Sequence, residues 1–340
     1  MKNPRTHLLY LLLSFVISIP LVVGESSVSK FNITIGSSIS TSPNGTNYWL
    51  SPSGVYAFGF YPLCSGCDRY GVGIWLTKSY DSTLVWTPNL DNDEPISNAS
   101  IVVDQYGVFV LRRSGSTLKP LFGNLFEPAL YAMMKDSGNF VVYNSVSDII
   151  WQSFDHPTDT IVSGQTLKSG HSLISKSLKY RLMMRKSGEL IICSKFYNRW
   201  WKWICNWVSH TRKRSSPVAL NLDSNGRLYL ADWDGLVIKN FTEGEEQQHA
   251  WSIVGKQIYR VTLEDDGVLR MYSERIGCDC GRSVVLWESY CSTCKERDHV
   301  TSDFFLAFGI SFGIIIVIAI CCICIIELAG KCKRRQNELK

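Results

Sequence analysis

Apolar and polar residues alternate with a period of two through most of the chain, in short runs rich in Val, Ile, Phe, Tyr and Trp. Gly, Asn, Asp and Ser separate these runs, and no sustained helical period of apolar residues is present. Side chains point alternately to the two faces of a strand, so this pattern predicts an all-β body whose sheets bury one face. One unit recurs: a polar pair, a glycine, then an alternating strand. Its copies are SPSGVYAFGF (51–60), DQYGVFVLR (104–112), KDSGNFVVY (135–143), RKSGELIIC (185–193), DSNGRLYLA (223–231) and EDDGVLRMY (264–272). Glycine adopts positive φ without steric cost, which suits a tight turn ahead of each strand. Gly54, Gly107 and Gly138 form one triplet and Gly188, Gly226 and Gly267 another. Two triplets predict two domains, each built from three sheet units around one core.

Two segments break the alternation. Leu8 to Val23 is almost wholly apolar, follows Lys2 and Arg5, and ends at the small residue Gly24. A basic start, a short apolar run and a small-residue exit predict a secretory signal peptide over 1–24. Phe304 to Ile326 carries no charge, and Lys331, Lys333, Arg334 and Arg335 follow it. At about 1.5 Å per residue this stretch crosses a hydrocarbon core of about 30 Å, and the basic flank assigns the C-terminus to the cytoplasm. The expectation is a single-pass type I plasma-membrane protein. A Cys-rich stalk spans 274–303, the transmembrane helix 304–326 and a tail 327–340. Cys321, Cys322, Cys324 and Cys332 are candidates for palmitoylation or are small apolar residues of the helix.

The net charge of +5 resides in the leader and tail, leaving residues 25–303 electrically neutral. A neutral body has no long-range field for a polyanion, which argues against nucleic acid. With this topology the sequons at Asn32, Asn44, Asn98 and Asn240 are expected to be glycosylated and exposed. Eight cysteines are extracellular: Cys64, Cys67, Cys193, Cys205, Cys278, Cys280, Cys291 and Cys294. An oxidising compartment favours disulfides. The C-x-C and C-x-x-C spacing of the last four also fits a zinc site, and pairing does not follow from spacing.

The blocks FNITIGSSIS, YWLSPSGVYAFGFYPL, IWLTKSYDSTLVWTPN, MKDSGNFVVY and WQSFDHPTDTI resemble the bulb-type lectin ectodomain of plant S-domain (G-type lectin) receptor-like kinases. NLDSNGRLYL and IYRVTLEDDGVLRMYS resemble their second lectin-like unit, especially in the rice type. The resemblance covers roughly residues 31–273 and implies two tandem β-prism II domains, over 25–154 and 155–273. It also implies carbohydrate or glycoprotein recognition without a cofactor or metal. The kinase signatures of that family (a glycine-rich nucleotide loop, HRD and DFG) do not occur in this sequence, so the expectation is a non-enzymatic receptor-like protein. Its expected partners are an extracellular glycan or glycoprotein, the membrane and a related receptor-like kinase.

Mannose-binding members of the family carry Q-x-D-x-N-x-V-x-Y on one strand face. In KDSGNFVVY those positions hold Lys135, Ser137, Asn139, Val141 and Tyr143, so the first two depart. RKSGELIIC replaces all four polar positions with Arg185, Ser187, Glu189 and Cys193, and DQYGVFVLR keeps only Val110. The Trp-rich stretch FYNRWWKWICNW (196–207) offers either sugar-stacking faces or core bulk. Asp155, His156 and Asp159 suggest a triad but lie in a block resembling the junction between lectin units, with no serine nucleophile motif.

Overall fold

The computed structural model describes residues 31–289 apart from 44, 80–81, 89–94, 114–117, 124, 126, 197–201, 212–216, 245–255 and 278–282. The expected leader, transmembrane helix, tail and the cysteines 278, 280, 291 and 294 lie outside the described residues. No helix among the described residues is long and apolar enough to cross a membrane.

Among the described residues, twenty-four strands form six four-stranded antiparallel sheets, and one strand order is used twice. The chain first lays down β1 (Ile33–Thr34), β2 (Ser38–Ser40) and β3 (Tyr48–Leu50). Each becomes the edge of a different sheet, and the sheets are then completed in reverse order. β4 (Tyr56–Pro62), β5 (Tyr70–Leu76) and β6 (Leu84–Trp86) extend β3. β7 (Ala99–Val103), β8 (Phe109–Arg113) and β9 (Lys119–Pro120) extend β2. β10 (Tyr131–Met134), β11 (Phe140–Tyr143) and β12 (Ile149–Gln152) extend β1.

The second half repeats this nesting. The edges are β13 (Thr160–Val162), β14 (Thr166–Leu167) and β15 (Ser172–Ile174). β16 (Tyr180–Met184), β17 (Leu190–Phe196) and β18 (Lys202–Val208) extend β15. β19 (Val218–Leu222), β20 (Leu228–Asp232) and β21 (Val237–Asn240) extend β14. β22 (Lys256–Leu263), β23 (Leu269–Ile276) and β24 (Val284–Glu288) extend β13.

Each set of three sheets turns its alternating apolar face onto its own core. The first core is aromatic: Phe58, Phe109 and Phe140 are buried on three different sheets, Phe140 meets the other two, and the partly buried Phe122 touches all three. The second is aliphatic, with Leu182, Leu190, Leu220, Leu230, Val261 and Leu269 fully buried. Val162, Ile258 and Ile276 from the second half pack into the first core, and Trp86 Nε1 donates to the His156 carbonyl at 2.7 Å, so the two sets are joined.

Five of the six repeated glycines fall in the turn between the second and third strands of a sheet: Gly107, Gly138, Gly188, Gly226 and Gly267. Gly54 does not. It lies between β3 and β4, and its counterpart between β15 and β16 is Leu178, also at positive φ (58°). The missing sixth turn is the loop between β4 and β5, which carries the Cys64–Cys67 disulfide. The Asp two residues before the glycine secures the Gly54-type turn across the fold. Asp136 Oδ1 accepts from Ser53 N and Oγ at 2.8 and 2.6 Å, and Asp265 Oδ1 accepts from Ser177 N at 2.7 Å. These polar pairs ahead of glycine therefore act as staples between sheets.

Candidate functional site

The motif strand of the first half is β11 with the turn before it. Among its five positions, Lys135 and Tyr143 come together, with Lys135 Nζ 5.5 Å from the Tyr143 ring centroid. Tyr143 stacks on Tyr131 at 4.7 Å. Ser137 is exposed and Val141 is fully buried. Asn139 is buried, and its amide is consumed internally. Nδ2 donates to Gln152 Oε1 at 2.8 Å, while Oδ1 accepts from Ser153 Oγ and Phe154 N at 3.2 and 3.3 Å. Gln152 reaches Asn139 because β12 pairs Gln152 with Val141. Replacing Asn139 with Ala strands the buried Ser153 hydroxyl and the partly buried Gln152 and Phe154 groups, and a buried orphaned group costs about 1–3 kcal/mol. The Asn139→Ala chain is therefore expected to lose about 2 kcal/mol or more in chemical denaturation.

Four sheets share a device at this place. The amide two residues after the glycine donates to a hydroxyl on or just after the fourth strand. The pairs are Phe140 with Ser153, Leu190 with Ser209, Leu228 with Thr242 and Leu269 with Ser289, at 2.8 to 3.0 Å. The shared geometry brings the sheets into register with one another. The counterpart of Asn139, just ahead of β17, is Glu189, and that of Gln152 is Val208, which pairs with Ile191. Valine cannot hydrogen-bond to Glu189. The Glu189 side chain is 9% exposed, and among the described residues its one polar side-chain partner is Arg185 Nη1 at 3.4 Å; the Arg185 side chain is 52% exposed. Arg185, Glu189, Ile191, Cys205, Val208 and His210 line an open groove of about 530 Å³. The Cys193–Cys205 disulfide ties β17 to β18 beside it. In the sequence Glu189 stands only as a departure from the motif; the signal for it lies in strand pairing.

The face of β22–β23 turned away from the second core carries a second, largely buried polar array. Arg260 pairs with Glu274 at 2.7 Å, donates to Thr262 and lies 3.8 Å from the Tyr272 ring centroid. The Tyr272 hydroxyl donates to Glu264 at 2.6 Å. Burial, together with that hydrogen bond, pushes the Tyr272 phenol up to about 12. Arg270 forks onto Asp266 at 2.7 and 3.1 Å. Burial opposes the Asp266 carboxylate, but Arg270 and the Val268 amide outweigh it and hold its pKa below the ordinary value. A phenol with a raised folded pKa favours the fold in its neutral form. Tyr272's contribution is intact below pH 10 and is lost as pH rises through about 12. Tyr272→Phe is expected to flatten this alkaline limb in stability measured across that range.

The remaining candidates have structural partners. His156 stacks on Trp151 at 5.2 Å, and burial lowers its pKa despite Asp155. Asp155 binds Lys168 and Gln152, both at 2.7 Å. Asp159 is buried and its pKa raised by that burial, 4.0 Å from Lys176. In the Trp-rich stretch, Trp203 is exposed and Trp207 packs against Phe241. Of the sequons, Asn98 is exposed as expected. Asn32 and Asn240 are half-buried, the latter accepting from Arg227 and donating to Glu243, and Asn44 lies outside the described residues.

Residues 83–178 match a family described as D-mannose binding lectin. A rice G-type lectin S-receptor-like serine/threonine-protein kinase, LECRK4 of Oryza sativa subsp. indica, is 31% identical over 76% of this chain and 33% of its own length. The corresponding kinase SD3-1 of Arabidopsis thaliana is 28% identical over 80% of this chain and 35% of its own. This chain thus spans about a third of the length of these curated relatives. Among solved structures, the mannose-specific agglutinin from snowdrop bulbs aligns at 19% identity over 36% of this chain and 94% of its own, with a TM-score of 0.27. The Polygonatum cyrtonema lectin aligns at 21% identity over 36% and 97%, with a TM-score of 0.28. The all-β chain is a member of the plant S-domain, G-type lectin family.

Proposed function

We propose that this protein recognises a carbohydrate, free or on a glycoprotein, outside the cell. In this reading its two sets of three sheets are tandem bulb-type lectin domains, and 304–326 anchors them in the plasma membrane. The observation that carries the reading is the D-mannose binding lectin match over 83–178, which contains the whole β10–β11 hairpin and its motif strand. The protein itself is not an enzyme in this account, and recognition reaches the cell interior through a related receptor-like kinase. A second reading, a modulator that pairs with such receptors without holding sugar, draws support from the internal use of the Asn139 amide. The test is the full chain, expressed in a plant secretory system and applied in detergent to an array of plant cell-wall and N-linked glycans. Retention on at least one glycan class, released by the matching free sugar, is expected. Failure to hold any glycan, together with co-purification of a receptor kinase, would move the assignment to the second reading.

A further inference from the structure

Glu189 is a carboxylate with nine-tenths of its side chain buried, facing an open groove, with one long contact among the described residues, to a half-exposed arginine. A carboxylate removed from water needs donors, and charge-assisted ones serve it best. The same chain shows what closes such a position: Gln152 fills it for Asn139, and Val208 cannot do so for Glu189. Exchanging an amide for a carboxylate also changes what the position asks of a ligand. An amide gives and receives hydrogen bonds, as sugar hydroxyls do, whereas an ionised carboxylate only receives. The floor beside it, Ile191, Val208 and Cys205, is apolar and suits the C–H face of a pyranose ring.

We propose that this groove on β17–β18 binds a pyranose bearing a free primary amine, a 2-amino-2-deoxyhexose residue, with its ammonium on Glu189. The proposal rests on the carbohydrate-binding reading and specifies a site and a ligand class within it. Binding displaces the Arg185 guanidinium, which has half of its side chain in water already and swings outward. His210 stands at the exposed rim.

The experiment titrates the full chain in detergent with methyl β-glucosaminide, methyl β-glucoside and methyl N-acetyl-β-glucosaminide. It is done at about pH 6, where an amine of ordinary pKa is charged. Saturation-transfer NMR and calorimetry read the binding. The free amine is expected to bind roughly tenfold or more tightly than either neutral sugar, a difference one charge-assisted hydrogen bond supplies. Glu189→Gln, close to isosteric, is expected to abolish that preference. Arg185→Ala, which removes the competing cation, is expected to strengthen amine binding. Equal affinity for the three sugars, a preference that survives Glu189→Gln, or loss of binding in Arg185→Ala would each overturn the proposal. Glycan retention on the array without amine preference would sink this site while leaving the lectin reading standing, and absence of all glycan binding would sink both.

Discussion

Replacing Gly107 with Ala is expected to lower stability by about 3 kcal/mol. The residue sits at φ +77°, where a Cβ costs about 1 kcal/mol on conformation alone. That Cβ would also meet backbone, the Ala129 carbonyl oxygen and, at 2.8 Å, the Ala129 nitrogen. A flexible side chain can move aside, but a strand-flanking backbone must shift as a unit, and overpacking of this kind costs about 1–3 kcal/mol more. Gly36→Ala is the internal control: φ is +85°, yet nothing stands within 4 Å of the added carbon. Its expected loss is about 1 kcal/mol, the conformational part alone. Denaturant melts of the two variants separate the contributions, and equal losses would show that the Ala129 contact carries no cost.

The second large effect concerns the Arg260–Glu274 pair, whose side chains are 11% and 3% exposed. Arg260→Met leaves Glu274 charged, buried and supported by Ser283 alone among its described side-chain partners, and breaking such a pair from one side costs about 3–5 kcal/mol. Removing both charges together, as Arg260→Met with Glu274→Leu, abolishes the uncompensated ion. The double variant is expected to be more stable than Arg260→Met by a kcal/mol or more, because apolar replacements of buried pairs are often close to neutral. A double-mutant cycle measured by denaturation checks this ordering, and additive losses would contradict it.

Much of the fold was legible because a glycine turn followed by an alternating strand is a local pattern. Gly107, Gly138, Gly188, Gly226 and Gly267 announce their hairpins directly. The pattern misled at Gly54, where SPSGVY turns the edge strand β3 into β4 instead of joining the second and third strands of a sheet, and where SKSLKY does the same work between β15 and β16 with leucine at positive φ. Edge strands such as β1 and β14 have only two residues, too few for a period to register, and their partners lie far along the chain. The candidate site was half legible for the same reason. Asn139 and Glu189 are visible as motif positions, but whether each is satisfied depends on the residue across the next strand pair, Gln152 in one case and Val208 in the other. The two Cys pairs seen, 64–67 and 193–205, are each local, spanning one hairpin loop and one strand pair.

The nested strand order constrains how the protein is made. Ile33 must wait for Ala132, about a hundred residues later, while Trp49 finds Phe58 almost at once. Contacts so distant in sequence slow folding, because ring-closure entropy is lost before they form. The first half therefore cannot complete its barrel-like enclosure until the ribosome has delivered residues through Gln152. β2 stays unpaired until Ser100–Val102 emerge and β1 until Tyr131 and Ala132 do, so chaperone capture is most needed for the segment 33–40.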